Sequence, residues 1–158
     1  MSWVVRLVVA LACILSGCSG TTPYVSDAED NLFITTDTQS GFLSGVDASL
    51  DIYRLNENCV SHYRGTVVLG DALVPVGIET GEPVQLVFNF ESSSFLANSN
   101  SSISYDVVLY PEFGYHYDVD VSYRNDIYNV EISERPRAIS ESVPMTVRVK
   151  ERDCNRQT

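Results

Sequence analysis

The side chains of this 158-residue chain that could take part in chemistry are four cysteines, two histidines and an excess of carboxylates, with 21 Asp and Glu against 10 Lys and Arg. None of them stands in a catalytic pattern, because the chain has no H-E-x-x-H, no G-x-S-x-G and no glycine-rich phosphate loop. His62 and His116 are isolated, and neither is adjacent to a cysteine. The sequence therefore does not favour an enzyme, and we expect no cofactor and no bound metal.

The N-terminal segment, MSWVVRLVVALACILSGC, carries an early charge at Arg6 followed by an apolar run from Leu7 to Leu15. Such a run is typical of a signal peptide and is shorter than the roughly 20 apolar residues that a membrane span needs. It ends in Leu15-Ser16-Gly17-Cys18, which resembles the lipobox of bacterial lipoproteins. The resemblance implies that residues 1–17 are removed as a signal peptide and that Cys18 is lipidated.

The residue after the lipidated cysteine is Ser19 and not an aspartate. In the lipoproteins of Gram-negative bacteria, which the chain resembles, this implies an anchor in the outer membrane and a domain that faces the periplasm. Residues 18–31 are small, polar and acidic, which favours a flexible lipidated tether. A single β domain is expected over residues 32–158, and it resembles the small β-rich lipoproteins of these bacteria.

The four cysteines reduce to two in the predicted mature protein, because Cys13 lies in the signal peptide and Cys18 carries the lipid. Cys59 and Cys154 would then lie in an oxidising compartment, where disulfides persist. We predict a disulfide between them. The alternatives are an exposed reactive thiol and an intermolecular bridge.

The formal net charge of −11 argues against binding to nucleic acid or to anionic lipid headgroups. The predicted attachment to the membrane is therefore through the lipid alone. An acidic surface of this size is explained by solubility, by a protein partner with a basic surface, or by a divalent cation.

Apolar and polar residues alternate at a period of two through much of the chain, as in Val84, Leu86, Phe88 and Phe90 and again in Ile103, Tyr105, Val107 and Leu109. This alternation is typical of half-buried strands, and no amphipathic helix of even about twelve residues is present. The sequence predicts an all-β domain, an antiparallel β-sandwich or small barrel of about eight or nine short strands. Pro75 predicts an edge strand or a bulge in the run from Leu73 to Ile78.

One hairpin can be derived residue by residue from its turn, Asn125-Asp126. That turn places Tyr123 opposite Tyr128, Val121 opposite Val130 and Val119 opposite Ile132 on an apolar face. On the polar face it pairs Ser122 with Asn129, Asp118 with Ser133, and Asp120 with Glu131.

Asp118, Asp120 and Glu131 therefore share one polar face, with Asp120 and Glu131 directly opposite each other. Opposed like charges destabilise a sheet by something under about 1 kcal/mol. We consider three interpretations of this trio: a solvated acidic face neutralised by Arg148 or Lys150, a binding patch for a basic partner, and a cation site.

Three functions are compatible with these features. The first is a tethered binding or inhibitor module acting on a cationic envelope protein or toxin. Such a module is loosely similar to lipoprotein lysozyme inhibitors, although the nearest counterpart of their Ser-Gly-x-x-Tyr segment, Ser101–Tyr105, lacks the glycine. The second is an assembly accessory of an envelope or secretion complex, which an exposed apolar patch or sheet edge would favour. The third is an enzyme, which a deep pocket with perturbed carboxylates would favour.

The substitution Cys18→Ser is expected to release the domain from the outer-membrane fraction, because it removes the thiol that carries the lipid and stable anchoring needs more than one acyl chain. Fractionation of cells expressing the variant, followed by immunoblotting, measures this release. A variant that stays in the membrane pellet after a salt wash would show that the anchor prediction is wrong.

Overall fold

A computed structural model of the chain describes residues 21–38, 44–70, 73–94, 99–124, 127–138 and 143–144. The lipobox with Cys18, the partner cysteine Cys154 and the two cations Arg148 and Lys150 lie outside the described residues. The described residues contain strands and no helix, which confirms the predicted all-β class.

The strands lie in two sheets, one with the order β4-β1-β7-β8-β9 and the other with the order β3-β2-β5-β6. Several strands reach 10 to 12 residues and are longer than the short strands expected. Their bounds are β1 Leu32–Thr38, β2 Ser44–Leu55, β3 Ser61–Val68, β4 Leu73–Val76, β5 Val84–Ser94, β6 Ser99–Leu109, β7 Tyr115–Arg124, β8 Ile127–Pro136 and the two-residue β9 Val143–Pro144.

Both sheets contribute to one hydrophobic core, which lies between them. Leu50 and Phe88 of the four-stranded sheet are fully buried, as are Ile34 and Val119 of the five-stranded sheet. Burying a side chain of this size contributes about 1.5–3 kcal/mol. Among the described residues, two separate sheets lie around one core, which is the arrangement of a sandwich and not of a closed barrel.

The pairing of β1 with β7 is parallel, with Leu32 beside Tyr117 and Thr38 beside Tyr123. The expectation of a purely antiparallel sandwich is therefore wrong at this pair, although the other pairs are antiparallel. The chain leaves β1 for β2 and β3 of the other sheet and returns to the first sheet as β4. It then crosses again as β5 and β6 before it reaches β7. Alternation in a sequence shows which face of a strand is buried, but it carries no information on the direction of a non-sequential neighbour.

Two local predictions of the sequence are confirmed. β4 is a four-residue strand at the edge of its sheet, and Pro75 lies in it opposite Phe33. The β7–β8 hairpin has the register derived from its turn, with Tyr123 opposite Tyr128 and Asp120 opposite Glu131.

Residues 21–31, the described part of the expected tether over residues 18–31, contact the domain, whereas residues 18–20 lie outside the described residues. Tyr24 N donates to Thr66 O at 3.0 Å, and the Tyr24 hydroxyl donates to Gly77 O at 2.9 Å. The contact requires glycine on the domain side, because a Cβ at Gly65 would lie 2.5 Å from Tyr24 Cα, and one at Gly77 would lie 2.1 Å from Ala28 O. The polar composition of this segment predicted flexibility and gave no sign that Tyr24 anchors it to the domain.

Asn31, the residue before β1, is buried, with 2% of its surface exposed to solvent. Its hydrogen bonds hold the start of β1 in place. Its side-chain amide donates to Ile78 O at 2.9 Å, and its Oδ1 accepts from Ile78 N at 2.8 Å. Its backbone carbonyl accepts from Tyr117 N at 2.8 Å, so one residue joins β1, β7 and the segment that follows β4.

The substitution Asn31→Ala is expected to lower the free energy of unfolding by about 2–4 kcal/mol, because it leaves both backbone groups of the buried Ile78 without partners. Urea denaturation followed by circular dichroism measures the loss. Asn58→Ala, at an exposed turn position, is the matched control and should change stability by no more than about 0.5 kcal/mol. Equal stabilities for the two variants would contradict the role of Asn31.

Candidate functional site

The candidate site is the outward-facing surface of the β7–β8 hairpin, called here the acidic hairpin face and defined by Asp118, Asp120, Asn129, Glu131 and Arg135. It faces solvent because Tyr117, Val119 and Val121, the intervening residues of β7, are turned into the core. The structure brings all three predicted carboxylates together on this face, with Asp118 opposite Ser133 and Asp120 opposite Glu131.

Asp118 is neutralised within the hairpin. Arg135 Nε donates to Asp118 Oδ2 at 2.8 Å, and both side chains are about three-tenths exposed. The guanidinium also lies 5.9 Å from the centroid of the Phe33 ring on the neighbouring strand β1. A partly exposed ion pair of this kind stabilises the fold by about 0.2–1 kcal/mol. The sequence had suggested Arg148 or Lys150 as the neutralising cation, and the position of Arg135 at the far end of the hairpin was overlooked.

Asp120 and Glu131 remain as an exposed pair of like charges. Asn129 Nδ2 donates to Glu131 Oε1 at 2.9 Å, which orients that carboxylate without changing its charge. Among the described residues neither carboxylate forms an ion pair. Directly opposed side chains in an antiparallel pair have Cβ atoms about 4.5–5.5 Å apart, so the two charges repel each other. Among the described residues, Asp120 and Glu131 are therefore the carboxylates of the acidic hairpin face that no cation pairs with.

His116 borders the acidic hairpin face on β7. Its ring contacts Phe33 edge to face, with the centroids 5.1 Å apart. Burial lowers the pKa of His116, and the nearby Arg135 and Arg137 lower it further, which favours the neutral imidazole at neutral pH. His116 therefore adds no fixed positive charge to offset the carboxylates under these conditions.

A second polar surface, which the sequence did not predict, lies on the outward face of the four-stranded sheet. A row of hydrogen bonds crosses its strands from Tyr63 through Thr66, Asp51 and Asn89 to Ser104. Asp51 is the centre of the row, since it accepts from both Thr66 and Asn89. Asp47, Ser49 and Asp51 occupy successive outward positions of β2. Only the strand order shows that these positions lie beside the polar residues of β5 and on the same face as those of β6.

Cys59 lies in the turn between β2 and β3 with a φ of 61°, next to a loop in which Asn56 Oδ1 accepts from two backbone N–H groups. Cys154 lies outside the described residues, so the pairing of Cys59 with Cys154 stays a prediction.

The chemistry open to the acidic hairpin face is electrostatic binding. In the part of the chain that the structure describes, no group of three or more His, Cys, Asp or Glu residues is placed to hold a metal ion. Within those residues there is also no helix with the length and apolar character needed to cross a membrane. Comparison with known proteins finds no matching family model, curated protein or solved structure.

Two matched substitutions separate the two kinds of carboxylate on the acidic hairpin face. Asp120→Asn is expected to raise the free energy of unfolding by under about 1 kcal/mol, because it removes the repulsion from Glu131. Asp118→Asn is expected to lower it by about 0.5 kcal/mol, because it breaks the ion pair with Arg135.

Chemical denaturation at low and at high salt measures both changes, which should shrink as salt screens the charges. If the two variants shift stability in the same direction at low salt, the assignment of opposite electrostatic roles to Asp118 and Asp120 is incorrect.

Proposed function

We propose that the protein is a membrane-tethered periplasmic lipoprotein that acts as a binding or inhibitor module on a protein partner with a basic surface. The observation that carries the proposal is the exposed Asp120–Glu131 pair, two opposed carboxylates that form no ion pair among the described residues. A basic side chain placed between them would turn a repulsive contact into two attractive ones.

The surrounding geometry supports contact with a protein more than with a small ligand. The acidic hairpin face belongs to two ten-residue strands that pair along their whole length, and its carboxylates lie on the surface of that sheet. Charges arranged in this way raise the rate of association with an oppositely charged partner, and the effect weakens as salt is added. Arg135 confines the uncompensated charge to the Asp120 end, which would help to orient the partner.

The proposed location follows from the lipobox and from Ser19, which favour an outer-membrane anchor at Cys18. An anchored binding module would act on partners within reach of that membrane. A Cys59–Cys154 disulfide belongs to the same proposal, because it would restrict the unfolded chain in an oxidising compartment.

A second candidate function, an assembly accessory of an envelope or secretion complex, is favoured by one observation. β6 forms an edge of the four-stranded sheet and exposes Ile103 and Tyr105 at 48% and 43%. An exposed apolar strand at a sheet edge is a common site of attachment between proteins.

The triple variant Asp118→Asn, Asp120→Asn, Glu131→Gln is expected to slow association with the partner, because it removes the charges while nearly keeping the side-chain shapes. Stopped-flow or surface plasmon resonance measurements across a salt series give the association rate and its salt dependence. The change in rate should be largest at low salt, where the Debye length is about 30 Å at 0.01 M.

The matched control is the triple variant Asp27→Asn, Asp30→Asn, Glu57→Gln, which removes the same formal charge from three exposed positions outside the hairpin. The control should keep most of the wild-type rate. If both triple variants slow association equally, only the net charge matters and the acidic hairpin face is not the binding site.

A further inference from the structure

Within the part of the chain that the structure describes, the two sheets have four edges, and three of them are short or covered. β4 has four residues and contains Pro75, and β9 has two residues. β3 is covered in part by the segment before β1, where Pro23 bridges to Thr66. Short strands, proline and covering segments are the usual means by which proteins prevent unwanted pairing at a sheet edge.

Among the described residues, the fourth edge, the outer side of β6, has none of these features. β6 has 11 residues and pairs in unbroken register with β5, and among the described strands it has no other neighbour. Its sequence, SNSSISYDVVL, contains no proline, lysine or arginine. A long, regular strand of this kind presents a continuous row of backbone N–H and C=O groups to a partner.

Exposed apolar side chains lie along the inner side of this edge. Ile103 and Tyr105 are 48% and 43% exposed, although they are register partners of the buried Phe90 and Phe88 on β5. Farther along the strand Val107 is buried, so the exposed apolar side chains lie in the first part of β6. An additional strand with apolar residues facing inward would cover Ile103 and Tyr105 and extend the core.

The outward side of the same sheet is acidic. The outward positions of β2, β5 and β6 carry four carboxylates, Asp47, Asp51, Glu91 and Asp106, and no lysine or arginine. Asp106 lies on β6 itself and is exposed. A strand docked beside β6 would therefore be most favourable with basic residues on its outward side.

We propose that the outer edge of β6 binds an extended segment of a partner protein that alternates apolar and basic residues, which joins the sheet as a fifth strand. Its backbone groups pair with those of β6, its apolar side chains pack on Ile103 and Tyr105, and its basic side chains face Asp106. This proposal rests on the proposed function as a binder of basic proteins and adds a second contact site, on the other sheet from the acidic hairpin face.

The test uses hydrogen–deuterium exchange of the mature domain, with a synthetic peptide of about nine residues that alternates lysine and valine. In the free protein the β6 amides that point away from β5 should exchange fast. The peptide is expected to slow exchange at these amides. A peptide with glutamate in place of lysine should leave the exchange unchanged, because it would place like charges beside Asp106.

Ile103→Lys introduces the kind of charge with which natural edge strands prevent pairing, and it should raise the Kd of the lysine–valine peptide about tenfold. Val68→Lys is the matched control, because it makes the same change in charge at a 72% exposed valine on β3. Fluorescence anisotropy of the labelled peptide should give a Kd for this control within about twofold of the wild type, a difference of under 0.5 kcal/mol.

Any of the following outcomes would overturn the proposal. If the β6 edge amides of the free protein exchange slowly at every protein concentration, the chain itself covers the edge. If exchange at these amides becomes slow only as the protein concentration rises, a second copy of the chain covers the edge. The proposal is also wrong if Ile103→Lys and Val68→Lys weaken binding of the peptide equally, or if the peptide leaves hydrogen exchange in β6 unchanged. Protection of β7 and β8 amides in place of β6 would overturn this proposal while supporting the acidic hairpin face as the binding site.

Discussion

The structure depends on the register of β7 against β8, because side chains alternate across a strand and only one of two neighbouring registers buries the apolar set. In the observed register Val119 and Val121 are at most 1% exposed. A slip of one residue would turn Asp118 and Asp120 into the core, where an uncompensated carboxylate costs several kcal/mol. Hydrophobic burial therefore holds Asp120 outward and opposite Glu131, although the repulsion between these two carboxylates costs something under about 1 kcal/mol.

The same reasoning explains which features could be predicted from the sequence. The hairpin register followed from a two-residue turn and a nearly regular alternation, and Pro75 identified an edge strand because proline cannot donate to a ladder. The parallel contact of β1 with β7, the ion pair between Arg135 and Asp118 and the open edge of β6 depend on which strands become neighbours. Packing across the whole core determines which strands become neighbours, and the local alternation of apolar and polar residues carries no information about it. The packing of the segment before β1 was missed for a related reason, since its anchors Tyr24 and Asn31 bind residues more than 40 positions away.

The two proposed binding surfaces lie on different sheets and differ in their chemistry. In the five-stranded sheet, β1 and β8 pair with β7 on both sides, so the proposed partner would meet the acidic hairpin face without a rearrangement of the sheet. In the four-stranded sheet β6 offers backbone groups and two exposed apolar side chains at an edge, which suits a partner segment in extended form. Electrostatic attraction acts over the Debye length of about 8 Å at physiological salt, whereas strand pairing acts only on contact. The acidic hairpin face would therefore govern the rate of encounter, and the β6 edge would govern the lifetime of the complex.

The most direct test of a basic protein partner is affinity capture from envelope extract on the immobilised mature domain, with elution by increasing salt. The specific partner is expected to bind at about 0.1 M salt, to elute before about 1 M, where the Debye length has fallen to about 3 Å, and to carry a basic surface. A parallel column with the Asp120→Asn, Glu131→Gln variant should retain less of it at the lowest salt. A partner that is acidic or neutral, or that is retained equally by both columns at every salt concentration, would contradict electrostatic recognition through the Asp120–Glu131 pair.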